Sequence, residues 1–526
     1  MKKIFYLIAL FIVSVFYTSC GRLDMTPEDY FGAGNFWNNE AQVNGYVIGL
    51  HNQLRSDYNM YFDLGELRGG NFRLGTSSVN TSMSSELTKK NLIDKDHTGI
   101  SNFYGLYGNI IQVNHFIDKV ENACTFLSDT QRKTYLAEAH GLRALYYYML
   151  YKTYGGVPIV TTVELLNGQV KADNFYVPRN SATETMDFIK TEINKSEESY
   201  VGNTTIGSRN MWSRYATLML KADIYLWSAK VSLPESDYAA TGQSDLEISK
   251  IALTEVLNAT NLFDLQGDFA SVFSDKKNKE IIFSLAFEGT EATNNASIFF
   301  SQPSQYIGSK YTRSGILIED DMLDLKGRGG PMRQEYKETL WRSYDDNDTR
   351  RDATFYDFYD DAEGNGFGCM MRKGIGSINS EGVRIFDTDI IVYRYADALL
   401  MMAEVENGLG NPCASYINQI RSRAYGDNFT AEKHYAEGGT FAANELAILQ
   451  ERDKEFVWEG KRWFDVLRMQ DASKKSLVFS SDAAYPDVVG EPSVQILPTG
   501  STYLFLWPLD TKVLGDNKEL TQTPGF

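Results

Sequence analysis

Cysteine is scarce in this chain, and the cysteine and histidine patterns that usually bind zinc are absent. The 526 residues contain four widely spaced cysteines, Cys20, Cys124, Cys369 and Cys413, and this is not the pattern of a disulfide framework. No C-x-x-C and no H-E-x-x-H motif occurs. Because these motifs supply the ligands of most zinc sites, we expect no zinc site and no cofactor.

Catalytic motifs are missing as well. No G-x-S-x-G nucleophile elbow occurs. A glycosidase needs two carboxylates about 5–9.5 Å apart, but among 69 acidic residues such pairs arise by chance. The histidines form no recognisable triad: His51, His97, His115, His140 and His434. We therefore expect no enzymatic activity and keep a surface glycoside hydrolase as the alternative.

The chain also lacks an excess of basic residues. It has 51 lysines and arginines against 69 acidic residues, a net charge of −18. Nucleic-acid binding depends on neutralising phosphates with basic side chains. The composition therefore excludes nucleic acid as an expected partner and indicates a solvated, mutually repelling surface.

Long apolar runs are confined to the first residues. Lys2 and Lys3 precede the apolar segment 4–17, and the small polar residues Thr18 and Ser19 lead to Cys20. This is the layout of a secretory signal, and the run is shorter than the ~20 residues that cross a bilayer. We predict that residues 1–19 are a signal peptide and that Cys20 becomes the acylated first residue. The alternative is a simple signal peptide with an incidental cysteine.

Amphipathic helices dominate the rest of the chain. Apolar residues recur at i, i+3, i+4 and i+7, the spacing of one helix face, and Ser181 with Glu184 forms a capping box. Helical pairs of this kind predict a helical-repeat scaffold, with an irregular all-α domain as the alternative. The predicted helices are 103–121, 131–154, 183–200, 213–230, 393–408, 413–424 and 445–469.

Between about residues 264 and 389 the pattern changes. The segment 281–287 predicts a buried strand, and the stretches around it are rich in Ser, Asn, Gly and Tyr. Loops longer than about 12–15 residues are usually functional or disordered. We therefore expect a mostly α protein with few short strands and one irregular, loop-rich region.

Two charged clusters invite a functional interpretation. Charged residues within 452–465 lie three or four positions apart and predict a structural ion-pair network, with a recognition surface as the alternative: Arg452, Glu455, Glu459, Arg462 and Asp465. The acidic run at 345–348 could attract Ca²⁺, but its spacing differs from an EF-hand loop, and a turn is the preferred interpretation: Asp345, Asp346, Asn347 and Asp348.

A series of motifs occurs in order along the chain. The C-terminal block 451–468, with the sequence ERDKEFVWEGKRWFDVLR, is one of them. The others include Cys20–Asp29, Glu66–Asn71, Ala137–Ala144, Tyr154–Pro158, Asp348–Asp352, Tyr393–Glu404 and Asn517–Phe526. In this order the motifs resemble the SusD/RagB family of nutrient-uptake lipoproteins of Bacteroidetes.

The resemblance implies a tetratricopeptide-like helical scaffold with an irregular region packed on it. It divides the mature chain into an N-terminal region, 20–230, and a C-terminal region, 231–526. It also implies a lipid-anchored protein at the outer-membrane surface that binds an oligosaccharide or a peptide. The protein would deliver this ligand to a SusC-like TonB-dependent transporter, without catalysis. A protein-binding scaffold or adhesin is the further alternative.

The resemblance places the ligand site in the two irregular regions rather than on the helical repeats. Aromatic rings in polar loops have few local apolar neighbours, so we expect several of them to be partly exposed and to stack on a ligand. The alternative is that these rings hold long loops on the scaffold. The candidate residues are Asn71, Phe72, Arg73, Phe299, Phe300, Tyr306, Tyr311 and Trp341.

Overall fold

The computed structural model describes residues 36–77, 83–100, 103–163, 176–200, 202–289 and 291–526. The predicted leader and Cys20 therefore lie outside the described residues. The N-terminal part consists of helices α1 (Glu40–Ser56), α2 (Tyr58–Glu66), α3 (Met83–Lys89), α4 (Phe103–Asn122), α5 (Asp129–Tyr154), α6 (Ala182–Ser199), α7 (Arg214–Lys230) and α8 (Gln243–Asn258).

Consecutive helices pack against one another, as the periodic pattern predicts. Helix α5 packs against α4 and α6, and α7 packs against α6 and α8. The caps follow from sequence: Ser181 Oγ accepts a hydrogen bond from Glu184 N at 3.1 Å, and Ser181 N donates to Glu184 Oε2 at 2.9 Å. Such a box satisfies two otherwise unpaired backbone groups at the start of α6. The predicted mostly α fold with helical pairs is confirmed.

The irregular region contains short elements joined by long loops. Its strands are β1 (Ile281–Leu285), β2 (Phe355–Phe358), β3 (Gly368–Met371), β4 (Ser377–Ile378), β5 (Arg384–Ile385) and β6 (Ile390–Arg394), with helices α9 (Ser271–Ser274), α10 (Glu338–Trp341) and α11 (Thr349–Thr354). The strands form antiparallel pairs β1–β6, β2–β3 and β4–β5. The predicted strand at 281–287 is confirmed as β1, and all five of its residues are buried.

The closing helices are α12 (Tyr395–Gly408), α13 (Ala414–Tyr425), α14 (Phe441–Glu455), α15 (Arg462–Arg468) and α16 (Thr511–Asp516). The single helix predicted at 445–469 is wrong. The chain turns between α14 and α15, where Trp458 and Gly460 adopt φ values of +66° and +69°. A non-glycine residue at positive φ cannot continue an α-helix, so two helices replace the predicted one.

Two large hydrophobic cores underlie this architecture. The first extends through the helices and includes Val43, Leu142, Leu253, Leu400 and Trp463. The second lies within the irregular region and includes Phe72, Phe299, Tyr336, Met370 and Trp458. Residues on both sides of the predicted boundary at 230/231 belong to the first core, since Trp227 packs on Phe464 at 6.0 Å between ring centres.

The turn between α14 and α15 makes one glycine indispensable. A Cβ added at Gly65 on α2 would overlap the carbonyl oxygen of Gly460, a backbone atom that cannot rotate away. We expect Gly65→Ala to lower the free energy of unfolding by about 3 kcal/mol. The matched control is Gly45→Ala on the exposed side of α1, where a Cβ would meet no atom within 4 Å. That variant should gain about 0.5–1 kcal/mol. Urea unfolding measures both changes, and equal stability of the two variants would contradict the prediction.

Candidate ligand-binding site

The segment after α2 pairs with a strand-like segment of the irregular region. Lys337 N donates a hydrogen bond to the Asn71 carbonyl oxygen at 2.9 Å, and Arg73 N donates to the Glu335 carbonyl oxygen at 2.9 Å. Phe72 and Tyr336 lie opposite each other between these two bonds. The structure therefore brings together the two irregular regions in which the candidate residues were predicted.

Three of these candidates are buried at the junction. The Phe72 ring stacks on Tyr336 with ring centres 4.5 Å apart, and Phe299 lies 6.0 Å from Tyr336. Phe72 and Phe299 are each 2% exposed. Asn71 is also buried, and its Nδ2 donates to Glu66 Oε2 at 3.1 Å. The expectation that these rings are partly exposed is wrong, because residues from distant loops cover them.

Phe300 and Tyr306 are buried as well. Phe300 stacks on Phe386 with ring centres 5.3 Å apart. The Tyr306 hydroxyl donates to Asp321 Oδ1 at 2.7 Å, and burial followed by this acidic partner raises the pKa of Tyr306 above its ordinary value. These rings hold loops together in the structure described here. Their contact with a ligand stays a prediction.

The remaining candidates lie around one partly open surface. Arg73 Nη1 donates to the Phe367 carbonyl oxygen at 3.1 Å, and the Phe367 ring lies 5.3 Å from Trp341 and 5.9 Å from Tyr359. Tyr311 and Tyr359 exchange two backbone hydrogen bonds of 2.9 Å. We name this surface the arginine–tryptophan face and define it by Arg73, Tyr311, Arg313, Trp341, Tyr359 and Phe367.

Two arginines give this face its accessible polar groups. The Arg73 side chain is 39% exposed and the Arg313 side chain is 41% exposed. Arg313 lies 4.9 Å above the Trp341 ring and pairs with Asp357 at 2.6 Å and Asp352 at 3.0 Å. The hydrogen bond with Asp357 contributes most to raising the pKa of Arg313. The face therefore presents accessible guanidinium and carboxylate groups, whereas the rings of Trp341, Tyr359 and Phe367 are buried beside them.

Trp341 contributes an unused donor. The residue is 6% exposed, and its Nε1 is buried without a hydrogen-bond partner within the described part of the chain. A buried donor without a partner costs about 1–3 kcal/mol.

A buried carboxylate anchors the loop that carries Arg73. Glu335 accepts hydrogen bonds from Ser77 N at 2.6 Å and from Cys369 N at 2.9 Å. Its Oε2 lies 3.4 Å from Arg73 Nη1. Burial raises the pKa of Glu335, and these partners offset part of that effect. Through these hydrogen bonds Glu335 holds the loop that carries Arg73 against β3, as far along the loop as Ser77.

The charged clusters singled out in the sequence are occupied by protein partners. Asp345 accepts from the Tyr425 hydroxyl and from Lys433 Nζ at 2.8 and 2.7 Å. Asp346 pairs with Arg351, and Asp348 pairs with Arg350. Among the described residues no group of three or more His, Cys, Asp or Glu side chains is arranged to hold a metal ion. The preferred interpretation of 345–348 as a turn is confirmed, since residues 346 and 347 form a turn, and calcium stays an untested alternative.

Two histidines have structural partners in the helical scaffold. His51 Nε2 accepts from Trp212 N at 2.9 Å, and His140 Nδ1 lies 2.7 Å from Glu192 Oε2. Burial lowers the pKa of His51. His140 connects α5 to α6, and His51 connects α1 to the segment that precedes α7.

Arg313, Tyr359 and Phe367 belong to the face although sequence reasoning did not select them. Tyr359 directly follows β2, and Phe367 directly precedes β3. The sequence feature that could have indicated them is the short hairpin β2–β3 with its flanking aromatic residues. The composition around it is typical of loops, so the two strands were not predicted. None of the described helices has the length and apolarity required to span a bilayer.

Comparison with known proteins places the whole chain in one family. A family model described as the SusD family matches residues 360–526, and another, described as starch-binding associating with outer membrane, matches residues 23–226. A solved SusD superfamily protein from Bacteroides fragilis is 34% identical, with a TM-score of 0.82 over 93% of this chain and 100% of that chain.

Two further relatives agree with this assignment. NanU of B. fragilis is 30% identical, with a TM-score of 0.79 over 95% of this chain and 99% of that one. SusD-like protein P38 of Formosa agariphila is 26% identical over 86% of this chain and 88% of its own length. The order of motifs, the helical scaffold and the full-length similarity agree, and the chain belongs to the SusD/RagB family.

Proposed function

We propose that this protein is a lipid-anchored outer-membrane protein that binds oligosaccharide nutrients and delivers them to a SusC-like TonB-dependent transporter. The observation that carries the proposal is the full-length similarity to SusD superfamily proteins, at 34% identity over 93% of the chain. The starch-binding description of the model that matches residues 23–226 adds the ligand class. The arginine–tryptophan face is the proposed contact surface.

The chemistry of the face suits a ligand with many hydroxyl groups. A sugar hydroxyl both donates and accepts hydrogen bonds, and its ring presents apolar C–H groups. Arg73 supplies donors and Asp352 supplies an exposed acceptor. Trp341, whose ring Arg342 and Arg351 also contact, supplies part of a ring surface once Arg313 moves aside. Arg313 is exposed enough to do so, since 41% of its side chain is accessible. A peptide would use some of the same groups, so it remains the second ligand class to test.

The proposed contacts predict the effect of two substitutions. After a glycan and peptide screen has identified the ligand, calorimetry should show that Arg73→Met and Trp341→Ala each weaken binding by about tenfold. Loss of a charge-assisted hydrogen bond or of an aromatic contact has this size. Arg55→Met is the matched control, because Arg55 pairs with Glu291 away from the face and is 19% exposed. Unchanged affinity with a lower melting temperature would mean that Trp341 is structural and that the site lies elsewhere.

Two further measurements separate the alternatives. Incubation of the ligand with the protein, followed by chromatography, should recover the ligand intact. Turnover that disappears on substitution of a single carboxylate would instead identify a glycoside hydrolase. Pull-down of the lipidated protein should recover a large outer-membrane barrel. Recovery of a soluble protein in its place would favour the scaffold or adhesin.

A further inference from the structure

A cavity of about 130 Å³ lies between the helical scaffold and β6, outside the arginine–tryptophan face. Helices α2, α5 and α15 and strand β6 contribute its walls. Aliphatic and aromatic side chains, tyrosines included, make up most of the lining, and eight charged side chains complete it. The apolar ones include Leu54, Phe62, Met149, Phe299, Ile390 and Val392. Asn59 and Asn295 are exposed residues that also line it, so its polar rim reaches solvent.

One cation lines this cavity without a paired carboxylate. Lys152 Nζ lies 3.9 Å from the centre of the Phe464 ring and 4.2 Å from that of Tyr148. Across the described ranges, no carboxylate lies within 4.0 Å of this ammonium group and it donates no hydrogen bond. Lys152 is half-buried. An ammonium ion removed from water is costly unless it is paired, and the two aromatic rings provide only part of the compensation.

The other charged groups of the lining already have partners. Asp397 pairs with Arg452 at 2.9 Å and with Lys461 at 2.8 Å. Asp465 pairs with Arg452 and Arg468, and Glu459 pairs with Arg394 and Lys373.

Asp223 is the lining carboxylate that could compete for Lys152. It accepts hydrogen bonds from the Tyr148 hydroxyl at 3.1 Å and the Tyr393 hydroxyl at 3.3 Å. Its attraction to Lys152 acts at longer range, beyond salt-bridge distance. Lys152 therefore remains the cation that an incoming anion can reach.

We propose that this cavity binds a small carboxylate with an apolar body about the size of a benzene ring, and that Lys152 pairs with its carboxylate. The volume fits this size, since an apolar cavity of about 150 Å³ engineered into another protein binds benzene. The apolar walls hold the body of the ligand, and the ammonium group supplies charge complementarity. This site is separate from the surface proposed for oligosaccharides and goes beyond that function.

The charge state of Lys152 gives the proposal a pH signature. Burial lowers the pKa of Lys152 to about 8; Asp223 and Asp465 favour its charged form, and Arg468 and Lys461 oppose it. Below pH 8 the free protein already carries the proton that pairs with the carboxylate. Above pH 8 that proton must be taken up on binding, so the affinity should fall by up to about tenfold per pH unit.

The test uses benzoate and the full mature protein with methionine methyl groups labelled by ¹³C. Met149 and Met401 line the cavity, whereas Met322 is 60% exposed and belongs to the irregular region. We expect saturable shifts of the Met149 and Met401 methyl signals with a dissociation constant of about 1 mM or below, and no shift of Met322. Lys152→Met should weaken benzoate binding about tenfold or more, while Lys152→Arg should largely retain it.

Benzyl alcohol is the neutral control ligand, and its binding should be insensitive to Lys152→Met and to pH. Equal affinity of wild type and Lys152→Met for benzoate, no saturation below about 10 mM, or shifts confined to other methyl groups would overturn the proposal. If the variant does not fold, the pH series on the wild type decides, because pH-independent affinity between pH 6 and about 10 also contradicts it. Oligosaccharide binding by Lys152→Met should be normal, so failure here leaves the proposed function standing.

Discussion

Replacing Arg394 by methionine is expected to lower the free energy of unfolding by about 3–5 kcal/mol, because removal of one partner leaves buried charges uncompensated. Arg394 Nη1 lies 2.6 Å from Glu280 and from Glu455, and Nη2 lies 2.8 Å from Glu459. The Arg394 side chain is fully buried. Burial raises the pKa of Glu455, but the charges of Arg423 and then Arg394 outweigh it and hold that pKa below its ordinary value.

The control for this variant is Lys95→Met. Lys95 pairs with Asp96 at 3.1 Å, but the two side chains are 63% and 62% exposed, and exposed pairs contribute about 0–1 kcal/mol. Urea unfolding followed by circular dichroism compares the two variants with the wild type. Arg394→Lys should recover little of the loss, because one ammonium group cannot reproduce the forked contacts of a guanidinium. A loss below about 1 kcal/mol for Arg394→Met would contradict the prediction.

This network joins the irregular region to the closing helices. Glu280 precedes β1, Arg394 ends β6, and Glu455 ends α14. Arg350 on α11 and Arg423 on α13 also pair with Glu455. The charged motif near the C-terminus is therefore structural: its side chains are at most 5% exposed and pair across elements. The recognition-surface alternative for these residues is wrong.

The periodicity of apolar residues was sufficient to predict the long helices. It was not sufficient to predict the turns between the charged elements near the C-terminus. Helix α5 ends at Tyr154 as predicted, because the apolar period stops at Gly155-Gly156 and Gly155 has a φ of +77°. The helix predicted from Tyr393 instead begins at Tyr395, since residues 390–394 pair with β1. Strand pairing and the ion pairs of Arg394 are contacts between residues far apart in sequence. The periodicity of apolar residues within one segment does not predict such contacts.

The candidate site shows the same difference between what local sequence predicts and what depends on contacts between distant residues. Sequence reasoning selected the correct two segments, and the structure brings them together through backbone hydrogen bonds at Asn71 and Arg73. It did not predict exposure, because Phe72 and Phe299 lack apolar neighbours in their own loops but find them in each other and in Tyr336. The polar composition of the loops therefore predicts where the irregular region lies. Which of its aromatic rings remain accessible depends on packing in the second core, which composition does not predict.

The second large effect concerns the membrane anchor. Cys20→Ala is expected to move the protein from the membrane fraction to the soluble fraction and to abolish uptake of its ligand. The physical reason is that each buried CH₂ of an acyl chain contributes about 0.8 kcal/mol, so several chains hold a protein stably and none holds it at all. Fractionation with immunoblotting and a growth assay on the identified nutrient measure both effects.

Cys124→Ala is the matched control, because Cys124 is a buried free thiol that follows α4 and lies far in sequence from the predicted leader. It should remain in the membrane fraction and support growth. Mass spectrometry of the native N-terminal peptide should find Cys20 as the first residue, carrying acyl chains. An unmodified Cys20, cleavage well beyond it, or a Cys20→Ala variant that stays in the membrane would each contradict the anchor. Release from the membrane without loss of uptake would retain the anchor but contradict delivery to a transporter, since a ligand carrier acting on a barrel must stay beside it.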